Sequence, residues 1–183
     1  MRHKYVTRAL VLKRTSLKES ASLITLLTDD LGLIRARAEG LRKPGAKLAS
    51  ALQTLSETEV TLVRGKEGWR LSGALLTEDH FRNLDQQGRL RAGRVASLLL
   101  RLVHEEAGDS VLYDTYLDFL RALPEATEDA QDALECLAAL TILRSLGLDA
   151  GPLPSIEINE PLSPITRRDI VMRINRGITA SGL

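Results

Sequence analysis

The hydrophobic period of this chain changes once, near Leu76. Before that point most segments read as strands, alternating or briefly apolar throughout; after it apolar residues recur every three or four. Strand side chains alternate between two faces, and helix side chains return every 3.6 residues, so the first part is laid out as sheet and the second as helices. The stretch LIRARAE (33–39) shows the first pattern most cleanly. Ile34, Ala36 and Ala38 fall on one face, and Arg35, Arg37 and Glu39 on the other. KYVTRALVLKR (4–14) interleaves apolar and charged residues. SLITLLT (22–28) is a short apolar run with a turn at Asp29–Asp30 behind it. TEVTLVR (58–64) and GWRLSGALL (68–76) are separated by Gly65, Lys66 and Glu67, which fits a hairpin. The segment 46–52, with Leu48 and Leu52 one turn apart, reads as a short helix. Five strands with a helix between the third and fourth is the order of a small Greek-key barrel of the OB type. Five short strands also fit an SH3-like barrel, and the pattern alone leaves the two open.

Beyond Leu76 the start and stop signals are helical. Thr77, Glu78 and Asp79 form a plausible helix start, because side-chain oxygens and negative charge satisfy free N–H groups there. Phe81 and Leu84 then fall on one face. A second helix is expected over 89–106, with Leu90, Val95, Leu98, Leu99, Leu102 and Val103 near a 3.6 period and Gly108 at its end. Ser110 can cap a third over 111–123, stopped by Pro124. Thr127 can cap a fourth, closed by Gly147. Helices joined by such short turns form an antiparallel bundle. A Pro/Gly-rich break follows at 151–161. Ser163 and Pro164 then open an amphipathic helix over 165–178. The expected architecture is α+β: a five-stranded OB-type barrel over 1–76, an all-α bundle over 77–154, and a linker with a C-terminal basic helix over 155–183. That last helix is short and needs tertiary burial to persist, so it is expected to pack on the bundle.

Charge divides along the same line. Residues 1–75 carry a net charge of +7, residues 76–154 a net of −7, and residues 155–183 a net of +1, so the overall +1 conceals two different surfaces. The basic part attracts phosphates and the acidic part repels them. A hydrophobic fraction of 44% suits a folded chain, no apolar run approaches a membrane span, and the N-terminus lacks the unbroken apolar core of a secretion signal. Cys136 is the single cysteine, which excludes an internal disulfide and a cysteine-rich zinc module and suits a reducing cytoplasm. It lies among Leu134, Leu137 and Leu140 and reads as an inert core thiol.

Enzyme signatures are missing from the sequence. There is no phosphate loop of the Walker type, no GxSxG elbow and no HExxH. His3, His80 and His104 are scattered, with no carboxylate or cysteine at metal spacing, and each reads as a surface or capping histidine. Glu105–Glu106 reads as a solvated helix end, and Tyr113, Tyr116 and Phe119 as core. We therefore expect no catalytic residues, no metal and no cofactor. What remains is the basic surface of the barrel: Arg2, Lys4, Arg8, Lys13, Arg14, Arg35, Arg37, Arg42, Lys43 and Lys47. In GLRKPGAKLASALQ (40–53), Gly40, Pro44 and Gly45 set a turn that would hold Arg42, Lys43 and Lys47 outward as a lip for a polyanion. Tyr5 and Trp69 are the only aromatic residues before Phe81, so binding is expected to rest on phosphates, with little base readout. A helical protein-interaction module with the barrel as a docking platform, and an OB-type RNA-binding factor, are the alternative readings.

The run YVTRALVLKRTSLKESASLITLLTDDLGLIRARAEGLRKPGAKLASALQTL resembles the N-terminal half of the RecO family of DNA recombination mediators. The resemblance runs through Glu19-Ser20-Ala21-Ser22, Leu27-Thr28, Gly32, Gly40-Leu41-Arg42-Lys43-Pro44, Lys47-Leu48 and Leu52-Gln53. It continues through Leu62, Gly65 and Ala74, and covers roughly residues 4–154. It implies an OB domain that binds single- and double-stranded DNA and promotes annealing in the bacterial cytoplasm at the nucleoid. It also implies help in loading a recombinase, together with RecR and by gripping the acidic tail of single-strand-binding protein. Arg35, Arg37, Arg42, Lys43 and Lys47 fall where that family has DNA-contacting cations. The tail contact would fall to Arg89, Arg91, Arg94 and Arg101, with Leu98 and Leu102 as an apolar floor. Members of the family commonly carry a four-cysteine zinc module after the helix ending near Leu148. Gly151-Pro152-Leu153-Pro154 stands there instead, so the resemblance is to a variant without that module.

Overall fold

The computed structural model describes residues 3–18, 21–39, 47–104, 110–155 and 161–182, with the side chains of Lys18 and Lys47 outside that set. The strands are β1 (Lys4–Lys18), β2 (Ala21–Thr28), β3 (Gly32–Glu39), β4 (Ser56–Gly65) and β5 (Gly68–Asp79). The helices are α1 (Lys47–Ala51), α2 (His80–Asn83), α3 (Gln86–Leu102), α4 (Ser110–Ala122), α5 (Glu128–Ser145) and α6 (Pro164–Ala180).

The strands close into a barrel in the order β1-β2-β3-β5-β4. Neighbours are antiparallel except β3 and β5, which run parallel through Ala36↔Trp69 and Arg37↔Arg70. This order, with α1 between β3 and β4, is the OB type, so the SH3-like alternative is set aside. β1 is long because it serves two neighbours. Its first half pairs with β4 from Lys4↔Val63, and its second half pairs with β2 as far as Lys18↔Ala21. A bulge between Val11 and Lys13 adds the curvature that this double duty requires. The alternation in β3 is as the sequence requires: Ile34, Ala36 and Ala38 are buried, and Arg35, Arg37 and Glu39 are exposed. The barrel core gathers Val11, Ile24, Leu26, Ile34, Val60, Leu62 and Leu71. Leu52, just past α1, enters that core fully buried, and Leu48 packs against it, which fixes the short helix to the barrel.

One boundary is corrected. β5 continues through Thr77, Glu78 and Asp79, pairing Glu78 with Glu57 and Asp79 with Ser56, so the expected helix starts only at His80. Ladder hydrogen bonds to β4 win over the local capping signal. Asp79 caps only the four-residue α2, its carboxylate accepting from Arg82 N at 3.3 Å. Phe81 is exposed while Leu84 is buried, so the two do not share a packed face.

The chain divides into two compact units. The first holds the barrel with α1, α2 and the start of α4 as far as Tyr113; the second holds α3, the rest of α4, α5 and α6. In the second unit α3 begins at Gln86 under an Asp85 cap, whose carboxylate accepts from Gly88 N at 2.7 Å, so it starts earlier than 89 and ends at Leu102 rather than at 106. Thr127 caps α5 through Ala130 N, and Ser163 caps α6 through Thr166 N. Gly147 takes a φ of 71° after α5, and Leu148 N closes back on Leu143 O at 2.8 Å, the left-handed turn that ends such helices. α6 lies on α5: Ile170 is buried with Cys136 and Leu140, flanked by Leu162 and Ile174. A Cβ at Gly177 would come within 3.1 Å of the Leu143 side chain and Leu148 O, so the two helices approach closely there. Among the described residues, no helix is long and apolar enough to cross a membrane.

Candidate nucleic-acid interface

Strand register decides which cations share a face. Lys13 pairs with Thr25, and Thr25 with Arg35, so Lys13 and Arg35 flank one strand on the same side of the sheet. One row further on, Thr15 pairs with Leu23, Leu23 with Arg37, and Arg37 with Arg70 across the parallel β3–β5 contact. Strands lie about 4.8 Å apart and same-face neighbours along a strand about 6.6 Å apart, so Lys13, Arg35, Arg37 and Arg70 occupy one wall roughly 10–15 Å across. All four are exposed. The row continues from Arg70 to Val63 and then to Lys4, also exposed. Glu39 approaches Arg37 at 3.7 Å, but both are more than half exposed, so the pair is weak and leaves the wall cationic.

The other expected cations are distributed differently. Arg14 is half-buried in the row of Ile24 and Ala36, with the parity of the barrel interior. Arg8 is drawn away by Asp29: its Nη2 donates to Oδ2 at 2.6 Å and its Nε at 3.2 Å, and that hydrogen bonding raises its pKa. Arg2, Arg42 and Lys43 lie outside the described residues, as does the side chain of Lys47. Arg70 was missed by sequence reasoning, since its place beside Arg37 depends on the parallel pairing of two strands far apart in the chain.

At the open end of the barrel, Tyr5 meets Trp69 edge to face, with ring centroids 5.2 Å apart and planes at 81°. The Arg64 guanidinium lies 4.8 Å from the Trp69 centroid. Trp69 belongs to the barrel core, whereas Tyr5 is 39% exposed.

His80 is a second correction. It is 1% exposed, not a surface histidine. Its Nε2 lies 3.9 Å from Glu57 Oε2 and its Nδ1 3.7 Å from Glu78 Oε1. Glu57 is itself buried and accepts from the Tyr113 hydroxyl at 3.2 Å. Each residue offers a ligand atom within 4.8 Å of the others, a metal-like grouping. The imidazole is thus held between two carboxylates, Glu57 on its Nε2 side and Glu78 on its Nδ1 side. The partners come from β4 and the β5–α2 junction, a proximity that local spacing does not reveal. Cys136 is as expected: burial pushes its thiol up to about 11, which leaves it unreactive near neutral pH.

On the helical unit, α3 and α6 line a groove of about 480 Å³. Arg89, Leu90, Arg94, Leu98 and Arg101 come from α3, and Ile178 from α6. Arg91 turns the other way, its Nη1 donating to Glu135 Oε2 on α5 at 2.8 Å. Arg94 also reaches Glu135, its Nη2 donating at 2.6 Å.

Residues 1–78 match the family described as Recombination protein O N terminal. The chain is also similar to proteins named DNA repair protein RecO. That of Dehalococcoides mccartyi is 31% identical over 128 residues, 69% of this chain and 50% of the relative. That of Synechocystis is 32% identical over 148 residues, 76% of this chain and 54% of the relative. The Clostridium novyi protein is 28% identical over 147 residues, 78% of this chain and 56% of the relative. The chain belongs to the RecO family. It spans about half the length of the curated relatives it matches. Within the family match over residues 1–78 lie the cationic wall, the Tyr5–Trp69 pair and nearly all of the barrel; the residues of the α3–α6 groove lie outside that range.

Proposed function

We propose that this chain is a DNA repair protein whose barrel binds single- and double-stranded DNA through the outer wall of Lys13, Arg35, Arg37 and Arg70, continued by Lys4. The observation that carries this is the cross-strand alignment of those cations on an OB barrel of the RecO family. Cations spaced along a wall neutralise successive phosphates and release their counterions, while base edges remain free. Two complementary strands repel each other through their phosphates. A protein that shields that charge without covering the bases lowers the barrier to pairing, so the activity we assign is strand annealing. The sequence reading adds Arg42, Lys43 and Lys47 as further phosphate contacts; Arg42, Lys43 and the side chain of Lys47 lie outside the described residues.

The α3–α6 groove combines Arg89, Arg94 and Arg101 with the apolar Leu90, Leu98 and Ile178. Such a lining suits a short acidic peptide ending in apolar residues, and supports the reading that the tail of single-strand-binding protein docks there. In the cytoplasm, that contact and RecR would bring the barrel to coated strands and help recombinase loading.

The test is annealing of two complementary oligonucleotides followed by fluorescence quenching. Wild type should accelerate it at low salt, and Arg35→Ala with Arg37→Ala and Arg70→Ala should return it most of the way to the uncatalysed rate. Equal acceleration by the triple variant would remove the wall from the mechanism.

A further inference from the structure

We propose that Tyr5, backed by Trp69, is a stacking platform for an unpaired base at the open end of the barrel. The proposal rests on the DNA-binding reading and names the form of nucleic acid the site prefers: a single strand with accessible bases. Tyr5 shares the barrel-interior parity of its partner Leu62, which is fully buried, yet Tyr5 itself is 39% exposed. It sits near the start of β1, between the exposed Lys4 and Val6. The Trp69 contact is edge to face at 81°, so it fixes the plane of the phenol ring without stacking on it. Trp69 is in turn held in the core and by Arg64 above its ring. A ring whose rotation is already restrained loses little freedom when a base lands on it. Arg64 overlies Trp69, and Lys4 and Arg70, the chain neighbours of Tyr5 and Trp69, lie on the outer face of the same strands. A strand whose phosphates follow the wall through Arg37 and Arg70 can therefore turn a base over the rim onto Tyr5. Stacking of this kind accepts any base, since every base has a π face, and excludes a base already stacked in a duplex.

The experiment compares an oligo-dT strand, an abasic strand of equal length and a duplex, titrated against the full chain at low salt. Tyr5→Ala should weaken oligo-dT binding about 5- to 100-fold, and leave abasic-strand and duplex affinities and the salt slope unchanged. Tyr5→Phe should retain wild-type affinity, which separates stacking from loss of the hydroxyl. Trp69 is the only tryptophan, so its emission should change with oligo-dT and stay constant with the abasic strand. An abasic strand that binds wild type as tightly as oligo-dT overturns the platform and leaves the cationic wall standing. Equal losses for both strands in Tyr5→Ala overturn it too. Failure of every probe to bind at low salt overturns the platform and the DNA-binding reading together.

Discussion

Arg173 shows how much one side chain organises in the C-terminal part. Its Nη2 and Nε donate to the Asp149 carboxylate at 2.6 and 3.1 Å, and its Nη1 to Pro152 O at 3.0 Å. It ties α6 to the segment that follows α5. Gly151 leaves the room it needs: a Cβ there would fall 2.4 Å from Nη2 and 2.6 Å from Cζ. Gly151→Ala should therefore displace the guanidinium and lower thermal stability by about 1–3 kcal/mol, the cost of breaking a charge-assisted bond that is mostly buried. An unchanged melting temperature would show that Arg173 has another equally good position. In the barrel unit, Tyr113→Phe removes the donor to buried Glu57 and should cost about 1–3 kcal/mol in denaturant unfolding. Burial raises the Tyr113 pKa far above its ordinary value, so its hydroxyl remains a donor at any ordinary pH.

The docking of α6 on α5 depends on both apolar and ionic contacts. Ile170, 1% exposed against Cys136 and Leu140, is the centre of the first; Ile170→Ala should cost about 2–4 kcal/mol, read as loss of helical signal at lower denaturant. The ionic part has a defined pH response. Hydrogen bonding from Arg167 holds the Asp132 carboxyl below its ordinary value, and Arg173 does the same for Asp149. A carboxyl that binds its proton more weakly when folded stabilises the fold above its unfolded pKa of about 4, and loses that contribution as the pH falls through the folded value. Stability should therefore decline below about pH 4, and Asp132→Asn with Asp149→Asn should flatten that decline while lowering stability at pH 6. A parallel acid limb in wild type and variant would contradict this. These contacts also mark what local sequence can convey. The caps at Thr127 and Ser163 and the alternation of β3 are written in neighbouring residues, and were legible. The extension of β5 through Glu78 and the burial of His80 depend on the cross-strand partners in β4, and the position of Arg70 beside Arg37 on pairing between strands far apart in the chain. No period or spacing encodes them. Leu52 and Leu48 were legible as anchors for α1 because one helical turn separates them.

The whole chain is nearly neutral, yet its basic excess falls within the first 75 residues, and there the register aligns part of it on one barrel wall. The wall was half legible: Arg35 and Arg37 share a face by alternation alone, while Lys13 and Arg70 join them only through the closed strand order. Charge on a continuous wall acts on a polyanion as one surface, and counterion release makes the number of contacts countable. Binding that neutralises four to six phosphates gives a slope of log affinity against log salt of about −3 to −4 on a single strand. The decisive measurement is that slope, taken with oligo-dT for wild type and for the Arg35→Ala, Arg37→Ala, Arg70→Ala variant. Removing three cations from the wall should reduce the slope by about 2 and weaken binding most at low salt. A variant that keeps both the wild-type slope and the wild-type affinity would show that DNA is held elsewhere.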